Sequence, residues 1–212
     1  MLQITEIYHS LQGEGSRAGI PCVFVRLAGC HLRCTWCDTE YGYTGGKEMA
    51  INEILTAVEE YDCELVEVTG GEPLMQEEAP GLMKSLLEKG YKVLLETSGA
   101  CDISVVPEEV IRIVDMKCPG SEMTEKNDYR NLSLLTDQDE LKFVIADKND
   151  FEWSCNLIKD YGIEKRQNNF ISPVHGKVNL EDLAAWVLDA DVNLRLQVQL
   201  HKVIWGPDKT GV

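Results

Sequence analysis

An α/β fold on a mainly parallel sheet is what this sequence predicts, and two observations carry that reading. After residue 20, apolar runs of strand length alternate with stretches whose apolar residues recur at helical spacing. The chain also has 212 residues and 44% hydrophobic content, enough for one ordinary core. Strands alternating with helices imply crossover units, and such sheets place ligands at the carboxyl ends of their strands. The strand-like runs cover residues 23–28, 65–69, 93–96, 110–115, 141–146, 169–172 and 194–199. Among the helical stretches, 51–61 carries Ile51, Ile54, Leu55 and Val58 on one face. A second begins at Pro80, a good first-turn residue, and stops at Gly90 just past Lys89. A third takes Asn179 as N-cap, with Leu180, Leu183, Ala184, Val187 and Leu188 behind it. No repeat, low-complexity tract or Pro/Gly/Ser linker interrupts the chain, so residues 1–212 are expected to form one domain.

Charge narrows the function classes. With 20 basic and 36 acidic residues the net charge is −16, a surface that repels phosphate backbones and anionic lipid. Direct nucleic-acid or membrane binding is therefore disfavoured. No apolar run approaches the roughly 18–20 residues that span a bilayer, and Met-Leu-Gln-Ile-Thr-Glu-Ile has no signal-peptide character. A cytoplasmic location is expected. In that reducing compartment the eight cysteines do not suggest disulfides. Cys22, Cys63, Cys101, Cys118 and Cys155 read as small buried apolar residues.

Cys30, Cys34 and Cys37 need another account. They crowd into one loop directly after the 23–28 strand, where spacings of three and two residues aim three sulfurs at one centre. A structural zinc site wants four closed ligands; no second cysteine pair follows, and His31 beside Cys30 would strain the loop as a fourth. Three thiolates suit an iron–sulfur cluster with one iron left free for another ligand. Two further segments end strands. Thr69-Gly70-Gly71-Glu72-Pro73 permits positive φ and close backbone approach to a ligand, or is a plain strand-to-helix turn. Glu96-Thr97-Ser98-Gly99 is similar. Upstream, Ser10-Leu11-Gln12-Gly13-Glu14-Gly15 together with Arg26 supplies amide, carboxylate and guanidinium groups. That set suits a heterocycle with amide-like edges and a carboxylate, since Arg forks onto carboxylates. Its plainer reading is a turn plus a weak surface ion pair.

Cys-x3-Cys-x2-Cys with GGEP resembles the radical S-adenosylmethionine enzymes. SLQGEG, the phrase from Phe24 to Cys30, Cys37-Asp38-Thr39 and Gln199-Leu200-His201-Lys202 together resemble one of their families, the 7-carboxy-7-deazaguanine synthases. The resemblance runs from residue 10 to about 202. It implies a partial (β/α) barrel, since 212 residues fall short of the usual full barrel of about 250. It implies a [4Fe-4S] cluster on Cys30, Cys34 and Cys37 whose free iron binds S-adenosylmethionine. It further implies that an adenosyl radical takes hydrogen from 6-carboxy-5,6,7,8-tetrahydropterin. Ring contraction to 7-carboxy-7-deazaguanine and ammonia follows, with S-adenosylmethionine regenerated. By resemblance, Leu11, Gln12, Gly13, Arg26 and Thr69 contact substrate. Trp36, Cys37, Asp38 and Gly71 contact S-adenosylmethionine, with Asp115, Met116, Lys117 and Ser172, Pro173, Val174, His175 matching more loosely.

Thr39 is implied to hold a magnesium ion with the substrate, a role that suits a hard cation with few protein ligands; a lone Thr after Asp is otherwise an ordinary loop residue. Val212 is implied to bring its carboxylate near the substrate in some members. A flavodoxin- or ferredoxin-type reductant and a homodimer complete the expectation, because a partial barrel leaves sheet edges for a partner to cover. Two rival readings are a glycyl-radical activase and a non-catalytic metal-binding module. The SLQGEG and Arg26 set has no evident task in the first, and metal analysis separates the second.

Overall fold

A computed structural model describes all residues, 1–212. Its strands are β1 (Leu2–Leu11), β2 (Pro21–Leu27), β3 (Lys47–Met49), β4 (Leu65–Gly70), β5 (Lys92–Thr97), β6 (Ile111–Asp115), β7 (Glu140–Ile145), β8 (Asn169–Pro173) and β9 (Arg195–Leu196). The helices are α1 (Ile51–Glu59), α2 (Ala79–Glu88), α3 (Lys148–Asp160), α4 (Leu180–Leu188) and α5 (Leu200–Trp205). One sheet in the order β3-β1-β2-β4-β5-β6-β7-β8-β9 holds every strand. From β2 to β9 all neighbours are parallel, whereas β1 runs antiparallel to both β2 and β3. β3 and β9 are free edges, so the barrel is open and partial, as expected.

Alternation along the strands sends side chains to two different interiors. One face packs on the helices: Val23, Val25, Leu27, Val66, Val68, Val93 and Leu95 meet Ile54, Val58, Leu82, Met83 and Leu86 in the main core. Each such side chain contributes about 1.5–3 kcal/mol of burial free energy. The opposite face begins with a smaller apolar cluster of Cys22, Phe24, Leu65, Leu94, Ile111 and Ile113. Beyond that plug the same face turns polar, and the register sets Arg26 against Thr69, Glu96 against Ile113, and Asp115 against Lys142.

Several expected boundaries move. The 194–199 strand shrinks to Arg195–Leu196, and the 51–61 helix stops at Glu59. The third helix is capped as expected, with the Asn179 side chain accepting from Glu181 N at 2.7 Å. β1 and α3 are elements the hydropathy pattern hides. β1 carries Glu6, Tyr8 and Ser10 on its inner face, and a register shift between Ile4 and Glu6 breaks its period. α3 buries Asp150 and Ser154 beside Phe151, Leu157 and Ile158. Of the cysteines read as buried, Cys22, Cys118 and Cys155 are so, while Cys63 and Cys101 are only half-buried. Cys63 still packs against both apolar clusters, and its Sγ lies 3.3 Å from the Pro21 carbonyl at the surface side.

Candidate active site

The polar ends of β2, β4, β5, β6 and β7 open into a cavity of about 500 Å³. The turn after β1, the cysteine loop, α5 and residues 207–212 complete its walls.

Cys30, Cys34 and Cys37 all line this cavity, whereas His31 is exposed and does not. Their loop leaves β2 through Gly29 at φ +100, a left-handed conformation that glycine adopts without cost. Leu32, 2% exposed, anchors its middle. Arg33 lies over the Tyr43 ring at 4.2 Å and donates to the Cys30 carbonyl at 2.8 Å. The far side is held by Thr35, whose N and Oγ1 donate to Ser121 O and Gly120 O. No three His, Cys, Asp or Glu side chains converge tightly enough to hold a lone metal ion. Burial pushes the Cys30 and Cys34 thiols upward, with Lys117 opposing it at both. Iron ligation requires thiolates, so loading this site releases protons.

The TGGEP turn is stitched to the same loop. Glu72 N donates to Gly29 O at 2.7 Å, and a Cβ on Gly71 would lie inside contact distance of that carbonyl. The Glu72 carboxylate, fully buried, accepts from Leu74 N, Thr97 Oγ1, Ser98 N and Ser98 Oγ. It thus ties the ends of β4 and β5 together and is not free for a ligand.

Charged groups ring the cavity floor. Lys142, almost fully buried, pairs with Glu14 at 2.8 Å and Glu96 at 2.6 Å. Lys117 holds Asp115 Oδ2 at 2.9 Å, while Asp115 Oδ1 is buried without any partner. Across the site, Arg26 Nε donates to Glu6 at 2.7 Å, and its terminal nitrogens reach Gly70 O and Tyr8 OH, each at 3.2 Å. Tyr41 OH also donates to Glu6. A guanidinium has five N–H groups, so two remain for a ligand. Asp38 accepts from Lys202 at 2.6 Å and from Thr39 Oγ1 at 3.0 Å. Burial raises its pKa, but Lys202 and Thr39 outweigh that and bring it down to about 2. His201 Nδ1 lies 2.7 Å from where a Gly13 Cβ would stand, so no larger residue fits that turn unless His201 moves.

This donor set fits an iron–sulfur cluster and a zwitterionic cofactor. Three soft thiolates share one wall, the tight Gly71 turn leaves backbone at the surface, and an orphaned Asp115 oxygen waits for a donor.

The Radical SAM superfamily profile matches residues 24–190. The 7-carboxy-7-deazaguanine synthase of Koribacter versatilis is 46% identical over the full length of both chains. That of Chlorobaculum tepidum is 42% identical, covering 100% of this chain and 97% of its own. The chain belongs to the 7-carboxy-7-deazaguanine synthases. Its fold matches the crystal structure of QueE from Escherichia coli with a TM-score of 0.76 over 92% of this chain and 93% of that one, at 22% identity. As a radical S-adenosylmethionine enzyme of this family it uses a [4Fe-4S] cluster and S-adenosylmethionine.

Most residues expected at the site meet in the one cavity of this synthase fold. Leu11, Gln12, Gly13, Arg26, Trp36, Asp38, Thr39, Thr69, Gly71, Asp115, Lys117, Val174, His175 and Val212 all line it. Met116, Ser172 and Pro173 do not, the first two being fully buried. Strand alternation explains Met116, which follows cavity-facing Asp115 and so points to the helix-packed core. Ser172 lies on the cavity side of β8, yet its Oγ is enclosed and unpartnered. The Gln12 amide donates to Glu67 and accepts from Glu14 N, which fixes its orientation at the cavity wall. Sequence reasoning missed Lys142, Glu67, Tyr8 and Tyr41. A lysine and a glutamate inside otherwise apolar β7 and β4 were the available signal.

Proposed function

We propose that this chain converts 6-carboxy-5,6,7,8-tetrahydropterin to 7-carboxy-7-deazaguanine and ammonia, a radical lyase step in 7-deazapurine and queuosine biosynthesis. The observation that carries it is that β2 feeds both parts of the chemistry into one cavity. Arg26 stands near its end and the cysteine loop begins just beyond. When bound, the cluster and S-adenosylmethionine supply a hydrogen-abstracting radical; the protein supplies position and charge. Cys30, Cys34 and Cys37 hold the cluster. Trp36, Cys37, Asp38, Gly71, Asp115, Lys117, Val174 and His175 hold S-adenosylmethionine, with Met116, Ser172 and Pro173 supporting them. Arg26, with two free N–H groups and an orientation set by Glu6 and Tyr8, grips the substrate carboxylate. Leu11, Gln12, Gly13 and Thr69 frame the pterin ring, and Val212 lines the same cavity.

Thr39 holds a magnesium ion beside that carboxylate in this reading, supported by an oxygen donor set of Thr39 and Asp38 on the cavity wall. The chain acts as a single domain and as a homodimer in the cytoplasm, fed by a flavodoxin- or ferredoxin-type reductant. The charge of −16 supports a small-molecule substrate over tRNA, and no helix is long and apolar enough to cross a membrane. The test is anaerobic incubation of reconstituted protein with reductant, S-adenosylmethionine, magnesium and the pterin. Mass analysis should find the ring-contracted product. Unchanged pterin, or protein that loads zinc without sulfide-to-iron absorption, would overturn the assignment.

A further inference from the structure

Glu67 is a carboxyl that none of the roles above uses. It sits in the middle of β4, between Phe24 of β2 and Leu94 of β5, directly on the apolar plug. It is 1% exposed, yet lines the cavity. One oxygen, Oε2, accepts from Gln12 Nε2. The Gln12 amide cannot turn round, because its own oxygen accepts from Glu14 N at 3.0 Å. Glu67 Oε1 makes no hydrogen bond within the protein. Nor does Glu67 have a counter-ion: the nearby ammonium of Lys142 is bound to Glu14 and Glu96, and Lys117 to Asp115.

We propose that Glu67 determines substrate specificity by donating a hydrogen bond from its free oxygen to a ring acceptor of the bound carboxylated pterin. Protonation follows from the surroundings, since an enclosed carboxylate lacking a cation is costly and takes up a proton instead. Burial first, then the negative charge of Glu96, holds the Glu67 carboxyl well above the usual carboxylate range; Glu14 adds to this, while Lys142 and Gln12 oppose it. A neutral carboxyl whose carbonyl oxygen accepts from Gln12 carries its O–H on the other oxygen, a donor that no protein group uses. The pterin ring offers acceptors in its carbonyl oxygen and unprotonated ring nitrogens. Glu67 lies two residues below Thr69 on the same face, about 6–7 Å along the strand. A bicyclic ring gripped at its carboxylate by Arg26, which pairs with Thr69 across the sheet, spans that depth. The chain would thereby read the ring at the end opposite the carboxylate. Substrate analogues that lack the acceptor leave a buried O–H unpaired and are rejected.

This inference rests on the function proposed above, and the test separates the two. Steady-state kinetics on the reconstituted holoenzyme compare wild type, Glu67→Leu and Glu67→Gln. E67L is expected to raise KM for the pterin tenfold or more while KM for S-adenosylmethionine moves less than twofold. E67Q is expected to recover most of that loss, because an amide accepts from Gln12 and still donates to the ring. Equal impairment of E67Q and E67L overturns the donor role and makes Glu67 an ionised acceptor. An unchanged pterin KM in E67L overturns the inference alone. A wild-type enzyme that turns over no carboxylated pterin overturns the underlying reading. Should E67L fail to fold, the infrared difference spectrum between wild type and E67Q decides. A carboxylic-acid carbonyl band lost in E67Q supports the proposal, and a carboxylate band alone refutes it.

Discussion

Arg26 illustrates how a residue becomes useful through its neighbours. In isolation an arginine on a strand next to a glutamate is a weak surface pair. Here the pair is mostly buried, and Glu6, Tyr8 and Gly70 O hold the guanidinium in one orientation. Arg26→Ala should weaken pterin binding by about 1.5–3 kcal/mol, the worth of a charged hydrogen bond, or roughly tenfold to a hundredfold. S-adenosylmethionine binding should change far less; equal losses, read by titration calorimetry, would assign Arg26 a general structural role. Thr39 is a different case, since its hydroxyl already donates to Asp38. Thr39→Ala should raise the magnesium concentration for half-maximal turnover, and an unaltered magnesium profile removes Thr39 from the metal site. Alanine at Cys30, Cys34 or Cys37 should abolish turnover and reduce iron content, because three thiolates are the fewest that leave one iron free. A single mutant with full activity and full iron would end that reading.

At the level of elements, the site depends on how closely β2 and β4 approach. Leu27 pairs with Gly70, Gly71 N donates to Leu27 O at 3.3 Å, and Glu72 N donates to Gly29 O. A Cβ on Gly71 collides with backbone, which cannot rotate away as a side chain would. Gly71→Ala should cost about 1–3 kcal/mol by overpacking and weaken S-adenosylmethionine binding. Gly81→Ala in α2 is the control: its Cβ would meet only Ile51 Cδ1 at 3.7 Å, and alanine favours a helix by up to about 1 kcal/mol. Thermal unfolding of both variants gives the comparison. A Gly71 variant as stable and as tight-binding as wild type would mean the turn is looser than its geometry indicates.

For the whole molecule, an open sheet raises the question of its edges. β3 and β9 each end the sheet, and unpaired edge groups are commonly covered or blunted. Leu188, Val203, Ile204 and Trp205, which follow β8 and flank β9 in the chain, are exposed apolar residues. Sedimentation over a range of concentrations should therefore give twice the chain mass; a single-chain mass throughout would refute the homodimer. The acidic surface bears on this too, because electrostatic self-repulsion means any stable dimer must rely on apolar contact, and added salt should not dissociate it.

What the sequence by itself determined was everything carried by local pattern. Periodicity located most of β2, β4–β8 and α4, and the spacing of Cys30, Cys34 and Cys37 announced a shared centre, because both signals lie within a few consecutive residues. Family resemblance then gathered Gln12, Arg26, Thr39 and Thr69 toward one ligand. Only the tertiary structure decided which side chains were available. It showed Gln12 tied to Glu67, Arg26 tied to Glu6, Glu72 spent on bracing β5, and Met116 turned to the core. It also paired Lys142 with Glu14 and Glu96, far apart in the chain, and left Glu67 beside them without a counter-ion. Pairing across a parallel sheet joins residues separated by whole crossover units, and no local spacing records which partner a buried charge finds.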